Sequence, residues 1–221
     1  MSRFSSFNVD IKYDAAEKYN IDQSEILSKT AYLTVKRISD FIFALTALIV
    51  LCIPMLIIAV VISLDSSGSP IFAQERLGKN AKPFVMYKFR SMYTDAEALG
   101  PQWAAVNDSR CTRVGRFLRK SRLDELPQLF NILKGEMSFV GPRPERKYFY
   151  DKFEEYIEGF SDRLIVVPGL TGYAQVHGGY SLQPEEKIVY DMEYIQNQSI
   201  LMDLKCILLT IKVVISHDGA R

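Results

Sequence analysis

The stretch Phe41–Leu64, FIFALTALIVLCIPMLIIAVVISL, sets the architecture of this chain, because none of its 24 residues carries a charge. An apolar run of this length is sufficient to cross a bilayer as a helix. A buried core helix of a water-soluble domain is the alternative, and the length of the run argues against it. The sequence therefore predicts a membrane anchor, which we place at residues 36–65.

Pro54 lies near the middle of this anchor. Because proline lacks a backbone N–H and its ring collides with the preceding helical turn, we predict a kink or a break there. Lys36 and Arg37 precede the apolar stretch, and Arg76 and Lys79 follow it. Cations on both flanks are typical of a segment whose two ends share the cytoplasmic side. Two topologies remain open, a kinked helix that spans the bilayer and a re-entrant helix that returns to the same face.

The remaining sequence divides into a polar extension, residues 1–35, and a mixed domain, residues 66–221, that we expect to be cytoplasmic. The 221 residues include 27 Lys+Arg and 26 Asp+Glu, a formal net charge of +1, which argues against a general nucleic-acid binder. The three cysteines form no CxxC pair, as is typical of a reducing compartment. The two histidines disfavour a zinc site or a Ser-His-Asp triad. The chemistry must therefore rest on carboxylates, cations and backbone groups.

Local patterns predict an α+β fold that is mostly helical. Residues 83–90 are predicted to form a strand, and residues 126–134 a helix that ends at Gly135. Aromatic residues share one face over 148–160, and apolar residues share one face over 200–215. Each of these two amphipathic helices either covers the core or lies in the headgroup region at the membrane interface.

Asp124 and Glu125 are adjacent carboxylates directly behind the cationic run Arg119-Lys120-Ser121-Arg122. We predict that Asp124 is an N-cap, with Pro127 in the first turn, so that the helix dipole keeps its carboxylate ionised. An ionised carboxylate is the state that a nucleophile needs, although simple capping is the alternative. A phosphate ~4 Å away would repel it by roughly 4 kcal/mol at an effective dielectric of ~20, which nearby cations must offset. Glu125 is a candidate Mg²⁺ ligand and Arg119 a candidate phosphate ligand.

Three further cations are candidate ligands for the substrate. In Gly141-Pro142-Arg143-Pro144 the prolines favour extended conformations before them, so Arg143 lies on a stiffened backbone. Such an arginine either recognises a phosphate or a base edge, or belongs to a loop that is merely stiff. Lys88 and Arg90, at the end of the predicted strand, contact either substrate phosphates or the membrane surface. Asp191 and Tyr194 are candidates for supporting groups.

Four motifs follow the apolar stretch in order: Lys88–Met92, Arg119–Gln128, Met137–Pro144 and Pro168–Gly172. Together they resemble the monotopic bacterial sugar transferases, which are polyprenol-phosphate phosphoglycosyl transferases, from about Lys36 to the C-terminus. The resemblance implies that a sugar 1-phosphate moves from a UDP-sugar to membrane polyprenol (undecaprenyl) phosphate with release of UMP. It also implies a bacterial inner-membrane enzyme that initiates exopolysaccharide, capsule or other surface glycan synthesis.

The resemblance assigns roles to individual residues. It implies that Asp124 is the nucleophile of a covalent phosphosugar intermediate, and that Glu125, beside Asp124, binds Mg²⁺. It places the phosphate end of the donor at Arg119 and the nucleotide end at Arg143. Direct transfer, with Asp124 acting only as a metal ligand or base, is one alternative. A non-enzymatic membrane scaffold is the other.

The resemblance further implies a membrane helix that is broken at Pro54 and has both ends in the cytoplasm. Family members often carry Ser before this proline, where the hydroxyl can satisfy a freed carbonyl, whereas this chain has Ile53. The sequence names neither the sugar nor the oligomeric state.

Overall fold

The computed structural model describes residues 28–98, 100, 108–178 and 182–216, so most of the predicted polar extension lies outside the described residues. Its longest element is the 36-residue helix α1 (Thr30–Asp65), which begins before the predicted anchor boundary at residue 36. Strands β1 (Ile71–Leu77) and β2 (Pro83–Phe89) then form an antiparallel hairpin, which confirms the strand predicted over residues 83–90. The elements that follow are α2 (Arg113–Lys120), α3 (Gln128–Lys134), β3 (Ser138–Val140), α4 (Lys147–Glu154), β4 (Gly169–Thr171), α5 (Tyr173–His177), α6 (Pro184–Gln196) and α7 (Ile200–Ser216).

Helix α1 packs against the rest of the protein along one stripe. In its first half the stripe meets Leu129 and Ile132 of α3, and in its second half it meets Leu118 of α2. The other faces of α1 are apolar and exposed, with Ile53 71% and Leu64 82% accessible. Among the described residues, α1 is the one helix long and apolar enough to cross a membrane. The stripe consists of Ala44, Ala47, Leu48, Leu51, Met55, Ile58, Ala59 and Ile62.

Helical conformation continues through Pro54, which lies inside α1. The predicted break into two helices is therefore wrong for this structure, while the predicted kink stays a prediction. Proline removes one helical hydrogen bond. Packed residues on both sides of it, such as Leu51 and Met55, hold the two halves of the helix against the domain.

Both ends of α1 are fixed to the same domain. Near the first end, Lys36 pairs with Asp203 of α7 at 2.7 Å. At the last residue, the Asp65 carboxylate accepts the backbone N–H of Val114 at 3.2 Å. These contacts, together with the packed stripe between them, make α1 lie along the domain over its whole length.

The motif at residues 168–172 brings two backbones together. Strand β4, which contains Gly169, pairs in parallel with β3, and Gly141 directly follows β3. A Cβ atom at Gly169 would lie 2.1 Å from the Gly141 nitrogen, so this approach requires glycine. The close contact is thus between two protein segments, and it fixes the loop on which Arg143 lies.

The three predicted helices have different outcomes. Helix α3 ends as predicted, because Gly135 adopts φ +83° in the left-handed region. The helix predicted over 148–160 is wrong in length, since α4 ends at Glu154 and Gly159, at φ +78°, precedes a 3₁₀ turn. Phe153 and Phe160 are buried, so this segment covers the core.

Helix α7 instead exposes the apolar face predicted over residues 200–215. Cys206, on its inner face, is fully buried, and Thr210 shares a 2.7 Å hydrogen bond with Thr171. The outer face is an exposed apolar surface. Its exposed members are Ile200, Leu201, Leu204, Ile207, Leu208, Ile211, Val214 and Ile215.

Candidate active site

A cleft of about 470 Å³ lies beside the β1–β2 hairpin and receives side chains from α2, the α2–α3 connection and the Arg143 loop. All six site residues predicted from the sequence line it: Lys88, Arg90, Arg119, Asp124, Glu125 and Arg143. Nine cationic and five carboxylate side chains form its wall, so the cleft carries an excess of positive charge that suits an anionic ligand. The other charged members are Arg76, Glu97, Arg122, Glu145, Arg146, Arg163, Lys187 and Asp191.

Asp124 and Glu125 lie in a 3₁₀ turn, Leu123–Glu125, between α2 and α3. Arg122, at φ +60° in the left-handed region, turns the chain into it. The N-cap of α3 is Pro127, and the predicted N-cap role of Asp124 is therefore wrong. Because residues 122–126 close i to i+3 hydrogen bonds before α3 starts, the ionisation of Asp124 depends on surrounding side chains and not on a helix end.

Glu125 is paired with cations from two different elements. The Lys88 Nζ atom on β2 lies 3.1 Å from its Oε1 atom. Arg143 donates from Nη2 to the same oxygen, while its Nη1 atom lies 3.5 Å from Oε2. Burial acts to raise the pKa of Glu125, but Arg143 and Lys88 outweigh it and hold this pKa well below its usual range. The Glu125 carboxylate therefore stays ionised at neutral pH.

Asp124 differs from its neighbour although it is equally buried. Burial and the charge of Glu125 raise the pKa of Asp124 to about 6, while Lys88, Arg119 and Arg143 act in the opposite direction. Its carboxylate accepts no hydrogen bond from the part of the chain that the structure describes. At neutral pH Asp124 is thus an ionised but poorly stabilised carboxylate, which is a suitable state for a nucleophile or a base.

A buried ion pair supports the Arg143 loop. Arg163 donates from Nη2 to the Arg143 carbonyl at 3.0 Å and from Nε to Asp191 at 2.7 Å. Its guanidinium lies over the Phe160 ring, 4.7 Å from the centroid. Sequence reasoning missed Arg163, because no local pattern indicates a partner 28 residues away. Asp191 lines the cleft and its supporting role stays a prediction, whereas Tyr194 lies outside the cleft lining and donates to Asp203.

The other two predicted arginines have different surroundings. Arg119 lies close enough to Asp124 to lower its pKa, and its Nη1 atom lies 3.5 Å from the Cys111 sulfur. Arg90 is only 6% exposed and donates to the backbone carbonyls that follow α1. The geometry therefore gives Arg90 a structural role, and its contact with substrate stays a prediction. Those carbonyls belong to Ser66, Ser67 and Gly68.

Arg90→Gln is expected to lower stability more than it lowers substrate affinity. It removes a buried charged donor from three carbonyls, at a cost of roughly 2–4 kcal/mol. Thermal unfolding in detergent should show a clearly reduced midpoint, with KM for the donor within about threefold of wild type for the folded fraction. A large rise in KM with an unchanged unfolding midpoint would instead identify Arg90 as a substrate ligand.

Asp124 and Glu125 can supply only part of the coordination shell of a magnesium ion. Among the described residues no group of three His, Cys, Asp or Glu side chains is placed to hold a metal ion. Mg²⁺ commonly takes one or two carboxylates and completes its shell with water and phosphate oxygens, which Asp124 and Glu125 permit. A cation there must compete with Lys88 and Arg143 for Glu125. Magnesium binding stays a prediction.

Comparison with known proteins identifies the family that this chain resembles. A family profile described as bacterial sugar transferase matches residues 31–217. The chain is 43% identical over 199 residues to the UDP-N-acetylgalactosamine-undecaprenyl-phosphate N-acetylgalactosaminephosphotransferase of Aeromonas hydrophila, covering 89% of this chain and 47% of that protein. It is 40% identical over 207 residues to the UDP-glucose:undecaprenyl-phosphate glucose-1-phosphate transferase of Xanthomonas campestris pv. campestris, covering 91% and 43%.

A shorter relative matches over most of its own length. A Bacillus subtilis protein, provisionally named an undecaprenyl-phosphate N-acetylgalactosaminyl 1-phosphate transferase, is 48% identical over 166 residues, or 74% of this chain and 90% of the relative. The chain spans less than half the length of the Aeromonas and Xanthomonas proteins. The matched region contains the whole charged cleft and all of α1 except its first residue. This chain therefore belongs to the bacterial sugar transferase family.

Proposed function

We propose that this protein transfers a sugar 1-phosphate from a UDP-sugar to undecaprenyl phosphate and releases UMP. The reaction would initiate exopolysaccharide, capsule or another surface glycan. One observation carries the proposal: Asp124, a buried carboxylate of raised pKa, lies beside the paired anion Glu125 in a cleft with excess positive charge. The names of the relatives support the same reaction class.

In the first half-reaction an Asp124 oxygen attacks the sugar-linked phosphorus of the donor. The bond from that phosphorus to the UMP oxygen breaks, and UMP leaves with the electron pair. The charge that develops on the phosphoryl oxygens is stabilised by cations already held in the cleft, Arg119 near Asp124 and Lys88 and Arg143 beside Glu125. The product of this step is an acyl phosphate that links Asp124 to the sugar phosphate.

In the second half-reaction a phosphate oxygen of the lipid acceptor attacks the same phosphorus. The acyl phosphate bond breaks, which restores the Asp124 carboxylate and yields the lipid diphosphate sugar. Mg²⁺ held by Asp124 and Glu125 would supply further charge neutralisation at the phosphates. Because the two half-reactions are separate, one cleft serves the soluble donor and the lipid acceptor in turn.

The membrane topology that we propose is re-entrant, with a kink at Pro54 that turns the continuous helix α1 back toward the same face of the bilayer. Helix α1 has 36 residues, so it is about 54 Å long if straight, whereas the hydrocarbon core is about 30 Å thick. A spanning helix would carry its two ends to opposite sides of the bilayer. Lys36 and Asp65 instead contact one domain, which supports an anchor with both ends on the cytoplasmic side of the inner membrane. The exposed apolar face of α7 supports an interfacial position for that helix.

The direct test is UMP release by the full chain in nanodiscs with Mg²⁺, undecaprenyl phosphate and a panel of UDP-sugars. The panel should include glucose, galactose and the N-acetylated hexosamines. Release with one sugar, and its loss after EDTA treatment, is the expected result and would name the donor. If folded protein releases UMP from none of these sugars, the proposed reaction is wrong for this panel and the scaffold alternative gains weight.

A covalent mechanism differs from direct transfer when the acceptor is withheld. If Asp124 forms an adduct, the enzyme should exchange labelled UMP into the UDP-sugar without any polyprenol phosphate, because the first half-reaction is reversible. Direct transfer requires both substrates and predicts no exchange. An exchange rate below one thousandth of the full turnover would argue for direct transfer.

The pH dependence of the first half-reaction should report the ionisation of Asp124. Burial and Glu125 raise the pKa of Asp124 to about 6, and the ionised form is the nucleophile. The rate of the UMP burst without acceptor is therefore expected to rise about tenfold per pH unit below pH 6 and to level off above it. Omitting the acceptor removes the titration of its phosphate. A flat profile from pH 5 to pH 8 would contradict this assignment.

A further inference from the structure

Helix α2 presents a cationic outer face that the proposed chemistry does not use. Its sequence, RVGRFLRK, contains four cations and no acidic residue. Gly115 and Leu118 are its buried residues. The outer face carries cations around one aromatic ring, that of Phe117, which is 64% exposed. It is formed by Arg113, Arg116, Phe117 and Lys120, which recur at i, i+3, i+4 and i+7 and are all exposed.

The inner face of α2 is tightly fixed to the hairpin and to α1. A Cβ atom at Gly115 would lie 1.9 Å from the Ser91 carbonyl oxygen, so the helix backbone touches the segment after β2. Leu118 packs with Ile62 of α1, and both are 2% exposed. The outer face is therefore held in one orientation relative to the last turns of α1, where Leu64 is 82% exposed.

The outer cations have no ionic partner among the residues that the structure describes. Arg113, Arg116 and Lys120 form no ion pair with any residue in the described ranges. On an ordinary water-exposed helix, acidic residues at i+3 or i+4 commonly balance such cations. Long basic side chains around an aromatic ring are instead typical of a surface that meets anionic headgroups, with the aliphatic stems directed toward the acyl chains.

The same cationic run reaches into the cleft. Arg119 at the end of α2 and Arg122 just after it both line the cleft that contains Asp124. Positive charge is thus continuous from the outer face of α2 to the candidate nucleophile. If the outer face of α2 binds lipid phosphates, the cleft lies over the membrane leaflet that supplies the lipid phosphate acceptor.

We propose that the outer face of α2 docks on the headgroups of anionic phospholipids in the leaflet that supplies the acceptor. The charge complementarity and the fixed packing of α2 against the last turns of the apolar helix α1 carry this proposal. It rests on the proposed membrane function, and it adds a lipid surface that is separate from the substrate cleft. Neutral phospholipids are expected to bind this face more weakly, because each basic residue near an anionic surface contributes roughly a fivefold preference.

Brominated lipids can test the contact at this face. The full chain would carry F117W together with W103F, so that residue 117 is the sole tryptophan. It would be reconstituted in nanodiscs of phosphatidylcholine that contain a fixed fraction of brominated phosphatidylglycerol or brominated phosphatidylcholine. We expect phosphatidylglycerol to quench the fluorescence at least about threefold more strongly, and 0.5 M salt to reduce the difference.

Charge-neutral variants of the labelled protein complete the test. R113Q/R116Q should bring the two quenching values together, whereas K147Q/K152Q, an equal charge change on α4, should leave the preference intact. Equal quenching by the two lipids, no quenching by either, or an unchanged preference in R113Q/R116Q would overturn the proposal. UMP release in the same nanodiscs is measured as an independent test of the proposed reaction. Lipid preference without UMP release would contradict the proposed reaction but not this surface.

Discussion

Asp124→Asn is expected to reduce UMP release by at least about 10³-fold, because an amide cannot form the acyl phosphate. The substitution keeps the shape of the side chain and removes only its charge. Incubation with a UDP-sugar labelled at the sugar-linked phosphate should leave label on denatured wild-type protein and none on the variant. Activity of the variant close to that of wild type would rule out Asp124 as the nucleophile.

The fold of Asp124→Asn should be at least as stable as that of wild type. The folded-state pKa of Asp124 is raised to about 6 from an ordinary 3.8, so the ionised carboxylate opposes folding at neutral pH. Removing this charge costs no stability, and the unfolding midpoint in detergent at pH 7.5 should be unchanged or higher. A loss of both activity and stability would point to misfolding, and the adduct experiment would then be repeated with Asp124→Ser.

Arg143→Gln is expected to lower kcat/KM by about 10²–10³-fold, the second largest effect. Arg143 is the strongest cation acting on Glu125, and its guanidinium contacts both carboxylate oxygens. Without it, Glu125 keeps its ion pair with Lys88 and the weaker influence of Arg122, and the charge that develops on the donor phosphates loses a fixed neighbour. Arg143→Lys should recover little of the activity, because an ammonium cannot reproduce the two-pronged contact.

A matched control for Arg143 is Lys147, four residues along the chain. Lys147 pairs with Asp151 on the surface, where the two side chains are 69% and 60% exposed. Exposed pairs of this kind contribute less than about 1 kcal/mol. Lys147→Gln should therefore leave kcat/KM within about twofold of wild type. If Arg143→Gln also changed kcat/KM by no more than twofold, the role assigned to Arg143 would be wrong.

Several features of this protein are local in sequence and could be predicted from it. The charge-free run predicts α1, alternation and β-rich composition predict β2, and Gly135 marks the end of α3. Each depends on residues within a few positions of one another, whose spacing directly reflects helical or strand geometry. The order of the motifs also indicated that Asp124 and Arg143 belong to one site, and both line the same cleft.

Tertiary structure decided the properties that depend on residues far apart in the chain. Asp124 and Glu125 are neighbours of similar chemistry, and the sequence alone gave no reason for their pKa values to separate. They separate because Lys88 and Arg143 reach Glu125 from elements 37 and 18 residues away. In a buried site such pairing dominates ionisation.

The same distinction accounts for the predictions that failed. The N-cap assignment of Asp124 and the length of α4 depended on local preference, which a 3₁₀ turn and Gly159 overrode. The sequence could not show that Arg90 donates to the backbone carbonyls after α1, and folding brings it there although it also lines the cleft. Local periodicity determined which segments form helices and strands, whereas long-range packing and charge pairing determined what their polar side chains contact.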